Sequence, residues 1–165
     1  MRRTRALLFG VLLALAPAAP VAAAPAQIKA TLDGRPIKIS EVPDYDCHDL
    51  EFPVIRCFAT QADRDASLSV EAGSLEASAA AAVAYVTMYD GASFTGATFT
   101  ASQNYDALVA IGWNDRVSSF RARNSETGVF YVDWFAGGSS WSFCCNGQAS
   151  SLGSFNNTFS SVYRT

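Results

Sequence analysis

Histidine occurs once in the 165 residues, and that scarcity removes much of the usual enzymatic chemistry. A Ser-His-Asp triad would have to be built on His48, and no His-Glu-x-x-His, Gly-rich phosphate loop or Gly-x-Ser-x-Gly occurs. His48 lies in Cys47-His48-Asp49, but neighbouring side chains rarely face one another and an oxidised cysteine is no nucleophile. No catalytic or cofactor-binding residue is assigned, and the chain reads as a non-enzyme. Basic charge is also short, 12 Lys and Arg against 15 Asp and Glu. Three of those bases, Arg2, Arg3 and Arg5, precede an apolar run from Ala6 to Ala16 and the small residues Val21-Ala22-Ala23. This is the pattern of a secretory signal over residues 1–23, with cleavage after Ala23 expected in preference to cleavage just before Pro25. The exported chain would keep 9 bases against 15 acids, a net charge of −6, which disfavours nucleic acid or an anionic membrane as partner. No apolar run reaches the roughly 20 residues that a membrane-spanning helix needs. The reading is therefore a soluble, extracellular, monomeric protein.

Cysteine is sparse but even in number: Cys47, Cys57, Cys144 and Cys145. In an oxidising compartment disulfides are the default, and four cysteines allow three pairings. Alternate residues of a strand face opposite ways, so Cys144 and Cys145 do not easily both reach back to the first pair. Cys47 with Cys57 is the favoured bridge, and the role of Cys144 and Cys145 is open.

Acidic charge divides the exported chain. Residues 24–83 hold 10 of the 15 acids, whereas 84–165 hold 5 acids and 4 bases. In the first part Asp33-Gly34 separates apolar runs at Ile28–Leu32 and Pro36–Ile39, which predicts a β-hairpin. Thr60-Gln61-Ala62-Asp63 has the spacing of a helix N-cap and predicts a short helix to about Leu68, with Gly73 interrupting any continuation. The alanines of Leu75–Ala82 favour helix again.

The second part is rich in Val, Phe, Tyr, Trp and Thr between Gly, Asn, Asp and Ser clusters, the composition of an all-β sandwich. Strands are expected at Ala84–Tyr89, Ala97–Ala101, Ala107–Ile111, Ser118–Arg123, Val129–Tyr131 and Ser160–Tyr163. An internal repeat runs through it. Tyr89-Asp90-Gly91-Ala92-Ser93-Phe94-Thr95-Gly96 aligns with Phe130-Tyr131-Val132-Asp133-Trp134-Phe135-Ala136-Gly137 at an offset of 41. Trp113-Asn114-Asp115-Arg116-Val117-Ser118-Ser119 aligns with Phe155-Asn156-Asn157-Thr158-Phe159-Ser160-Ser161 at an offset of 42. The first element is structural, a folded hairpin with two stacked rings and a glycine. The second gathers Asn, Asp and Ser oxygens on a tight loop, which suits a hard cation.

Aromatic-x4-aromatic-x-Gly followed by Asn/Asp-Asn/Asp-x-x-Ser/Thr-Ser resembles the microbial calcium-binding βγ-crystallins. The resemblance covers residues 84–165. It implies an all-β, βγ-crystallin-like double Greek-key sandwich of two four-stranded sheets with the loops paired at one end, and leaves 24–83 as a small mixed extension. It further implies up to two calcium sites drawing on the hydroxyls of Ser118 and Ser160, oxygens of Asp115 and Asn157 in the loops opened by Asn114 and Asn156, and backbone carbonyls of Asp90 and Tyr131 from the opposite repeat's hairpin. With so few carboxylates the affinity should be that of extracellular modules, about 10⁻⁴–10⁻³ M. Asp90 makes the site of the second loop the more conventional one. The alternative is a secreted proteinase inhibitor, because a microbial metalloproteinase inhibitor has a similar fold, with Trp141–Leu152 as the presented loop. Asn156-Asn157-Thr158 is a glycosylation sequon only in form, since a glycan would disrupt the loop. Trp113, Trp134 and Trp141 are expected in packing roles.

Overall fold

A computed structural model describes residues 27–76 and 83–165. The signal-like segment, and residues 77–82 of the alanine run, lie outside them. The first strands are the expected hairpin: β1 (Lys29–Leu32) pairs antiparallel with β2 (Arg35–Ile37) around Asp33 and Gly34, at φ 47° and 81°. Positive φ at both central residues is what a two-residue turn with the natural twist requires.

A second hairpin, β3 (Asp46–Glu51) with β4 (Val54–Phe58), was not expected from the sequence. Its strands put Cys47 directly opposite Cys57, and the two are disulfide-bonded and buried. Closing so short a loop contributes about 2.7 kcal/mol by constraining the unfolded chain. Helix α1 (Gln61–Glu76) follows, and Thr60 caps it: the Asp63 N–H donates to Thr60 Oγ1 at 3.2 Å. The helix runs through Gly73 instead of stopping near Leu68; one glycine costs only about 1 kcal/mol.

The second part forms β5 (Tyr85–Gly91), β6 (Thr95–Ala101), β7 (Ser119–Arg123), β8 (Gly128–Tyr131), β9 (Ser140–Phe143), β10 (Gln148–Ala149) and β11 (Ser161–Arg164). β5, β6 and β7 come from the first repeat, and β8, β9 and β11 from the second. Each repeat lends a segment to the other's sheet: β10 pairs with β7, and Tyr105 bridges Val162 of β11. This exchange is the double Greek-key sandwich. Between the sheets the rings of Phe120, Phe130, Phe143 and Phe159 stand 5.0–5.5 Å apart. The expected strand at Ala107–Ile111 is instead a 3-10 turn, Leu108–Ile111, ended by Gly112 at φ 75° against Pro43.

The extension does not hang beside the sandwich. β3 pairs parallel with β6, and one sheet of eight strands results, in the order β10-β7-β5-β6-β3-β4-β1-β2. Polar groups line this seam. Arg64 of α1, 2 % exposed, donates to Thr98 Oγ1 on β6 at 2.6 Å, and Thr98 donates to Asp46 of β3 at 2.7 Å. Asp49 accepts from the Ser102 N–H at 2.6 Å and from the Tyr105 hydroxyl at 2.7 Å.

His48 is fully buried, stacked on Phe58 with its Nε2 3.2 Å from Ser67 Oγ. Burial, reinforced by Arg56 and Arg64, lowers its pKa to about 4. The unfolded chain therefore takes up the His48 proton first as pH falls from the ordinary value near 6.5 towards 4, and stability is lost across that window. His48 is expected to remove about 2 kcal/mol between pH 7 and pH 5. Burial pushes Asp46 and Asp49 up, and they act in the opposite sense at lower pH. The difference between wild type and His48→Gln in denaturant unfolding at the two pH values isolates the histidine; equal slopes would refute its assignment as a buried neutral group.

Candidate cation-binding site

The two repeats superpose at a single offset of 42, in the hairpins as well as the loops. Ser118 N–H donates to Tyr89 O and Ser160 N–H to Tyr131 O, both at 2.8 Å. Ser119 Oγ donates to Gly91 O and Ser161 Oγ to Asp133 O, both at 2.7 Å. Gly96 and Gly138 carry the matching positive φ, 79° and 72°. The 41-residue alignment of the hairpins is thus corrected by one position. Tyr89 and Phe94 do stack edge to face, with centroids 5.6 Å apart. In the second repeat their places fall to Tyr131 and Ala136, whereas Phe130 points into the core and Phe135 is 70 % exposed. The shift misled because aromatics sit at both 130 and 135, one step before the true positions.

This correction moves a site residue. The counterpart of Asp90 is Val132, not Tyr131, and the Tyr131 carbonyl is the acceptor that positions Ser160.

The loops meet as expected, but crosswise. Asp115 N–H donates to Phe159 O and Asn157 N–H to Val117 O, both at 3.0 Å, with Asp115 and Asn157 each at φ 56°. Short polar residues tolerate this left-handed conformation, which explains Asn or Asp at the second loop position. The reciprocal bonds set the second residue of each loop beside the serine of the other. Two half-sites follow.

One is an open cleft lined by Asn114, Asp115, Val132, Asp133, Trp134 and Ser160. Ser160 is 6 % exposed, and its hydroxyl has no hydrogen-bond partner among the described residues. Trp134 Nε1 donates to Asn114 Oδ1 at 3.1 Å and Asn114 Nδ2 to Asp115 Oδ2 at 2.7 Å, a relay that aims the Asp115 carboxylate. Asn114 therefore orients the loop and its own oxygen is engaged. Trp134 is 52 % exposed, unlike buried Trp113 and half-buried Trp141.

The other half-site is closed. Ser118 Oγ donates to Asn157 Oδ1 at 2.8 Å, and Asp90 is ion-paired to Arg116 at 2.8 Å. Asn156 lies exposed at the loop's start. The half-site carrying Asp90 is the self-satisfied one, and the first loop's Asp115 lines the open cleft. Asp133 escaped sequence reading, although applying the loops' 42-residue offset to the hairpins would have brought Val132 and Asp133 to the site.

The lining of the cleft includes two carboxylates and a hydroxyl. Among the described residues no three His, Cys, Asp or Glu side chains cluster as metal ligands. Hydroxyl and carbonyl oxygens with few carboxylates suit a hard cation such as calcium, which takes about six to eight oxygens. The Ser160 hydroxyl, without a protein partner among the described residues and open to the cleft, can serve as one of those oxygens.

Trp141–Leu152 contains most of β9 and all of β10. Between them Cys144 and Cys145 are exposed and unbridged.

No protein-family model matches the chain, and no curated protein matches it. Solved structures do. An archaeal βγ-crystallin shares 29 % identity over 50 % of this chain and 99 % of its own, with a TM-score of 0.45. A βγ-crystallin domain from Flavobacterium johnsoniae shares 26 % over 48 % of this chain and 92 % of its own, TM-score 0.42. A βγ-crystallin from Ciona intestinalis shares 24 % over 49 % and 99 %, TM-score 0.46. About half of this chain, with its exchanged double Greek key, is thus similar to βγ-crystallin domains, microbial ones among them.

Proposed function

We propose that this is a secreted, non-enzymatic calcium-binding protein in which the ion stabilises the crystallin-like half. The observation that carries the reading is the cleft itself, where the Ser160 hydroxyl, without a hydrogen-bond partner among the described residues, shares the lining with Asp115 and Asp133. Asp115 and Ser160 side chains would hold the ion, with a hairpin carbonyl at Val132 or Asp133 completing the set. The site needs nothing from a substrate, and its chemistry is that of a cross-brace: one ion would tie the first loop to the second repeat's hairpin. Export supports the reading, because a weak site fills where free calcium is millimolar.

At a calcium concentration about ten times the dissociation constant, binding to the folded state alone adds about 1.4 kcal/mol. Millimolar calcium is therefore expected to raise the melting temperature by about 5 °C. Asp115→Asn and Ser160→Ala should each remove most of the rise, and Asp90→Asn should leave it. A calcium-independent melting temperature in the wild type would refute the proposal.

A further inference from the structure

We propose that Arg116 is the resident cation of the closed half-site, so that the chain binds one calcium ion and not two. This rests on the calcium reading above. Arg116 is the third residue of the first loop. Its Nη2 lies 2.8 Å from Asp90 Oδ2 and 3.0 Å from the carbonyl of Pro43. Its guanidinium sits 5.7 Å from the ring centroid of buried Trp113. A permanent positive charge paired with Asp90 repels a divalent ion brought to the same oxygens, and Arg stays charged at every accessible pH.

The repeat supplies an internal control. At the 42-residue offset Arg116 corresponds to Thr158, whose hydroxyl turns away to donate to Phe155 O at 2.9 Å. The open cleft thus has carboxylates and no built-in cation, whereas the closed half-site has a carboxylate and its own cation. The extension takes part in this. Pro43 lies in the 3-10 turn Ile39–Asp44 and is buried, and its carbonyl holds the guanidinium in place. Residues outside the crystallin-like half therefore help to set how many ions it takes.

The test is isothermal titration of calcium into the exported chain as wild type, Arg116→Gln and Arg116→Lys, with melting curves on each. One site is expected in the wild type and in Arg116→Lys, and two in Arg116→Gln, the second at least several-fold weaker. Asp115→Asn in the Arg116→Gln background should leave one. Two sites in the wild type would overturn the inference whatever the variants do, and would leave the calcium reading standing. One site in a folded Arg116→Gln also overturns it. Absence of binding in all three overturns the calcium reading and the inference together.

Discussion

Phe130→Ala is expected to cost about 4 kcal/mol of stability, measured by urea denaturation, because a fully buried ring is removed from the centre of the sandwich. Phe130 is 0 % exposed and meets three other rings, of which Phe159 is the nearest at 5.0 Å between centroids. The neighbouring elements cannot close over the hole, since Phe120 on β7 and Phe159 in the segment leading to β11 belong to different repeats. Phe135→Ala, at a side chain 70 % exposed, should change stability by no more than about 0.5 kcal/mol. The contrast tests the register of the repeat. If 130 and 135 were the paired rings of a folded hairpin, as their spacing suggests, the two substitutions would cost similar amounts.

Arg64→Met should cost about 3 kcal/mol, the toll of removing a cation from a buried polar network. Arg64 connects α1 to β6 through Thr98, and Thr98 connects β6 to Asp46 on β3. Methionine fills the volume but leaves Asp46 without the nearby guanidinium, one of the influences that hold its raised pKa down. Asp46 then becomes still easier to protonate in the folded state. The deficit should accordingly shrink as pH falls through the raised Asp46 pKa. Unfolding at neutral and mildly acidic pH reads both effects, and a deficit independent of pH would show that Arg64 acts through packing alone.

These two sites also mark what sequence reading reached and what it did not. The Asp33-Gly34 hairpin, the Thr60 cap and the Cys47–Cys57 bridge were legible because each is decided by residues near in sequence. The double Greek key was legible because a repeat constrains the whole architecture. The β3 strand was not. It reads Asp-Cys-His-Asp-Leu-Glu, with no apolar alternation, because Asp46, His48 and Asp49 are buried against partners from β6, α1 and the Tyr105 segment. Nothing local announces a polar strand satisfied by distant groups. Leu108–Ile111 failed the other way: four apolar residues suit a strand as well as a turn, and the turn is fixed by bonds such as Leu108 N–H to Ser160 O that no local pattern encodes. At the site, the loop residues were found, but their crosswise pairing depends on the reciprocal bonds of Asp115 and Asn157, which no spacing encodes.

The parallel union of β3 with β6 has a bearing on self-association. In a free-standing sandwich β6 would be a seven-residue border with unpaired amides, a template for another chain. Here Thr98–Thr100 of that border are paired with β3, and the outer edges of the long sheet are β10, of two residues, and β2, of three. β2 carries Pro36 at its middle, which has no N–H to offer, and Arg35 beside it. The appended strands thus exchange one long adhesive margin, β6, for a short and poorly bonding one, β2, a safeguard against fibre-like stacking.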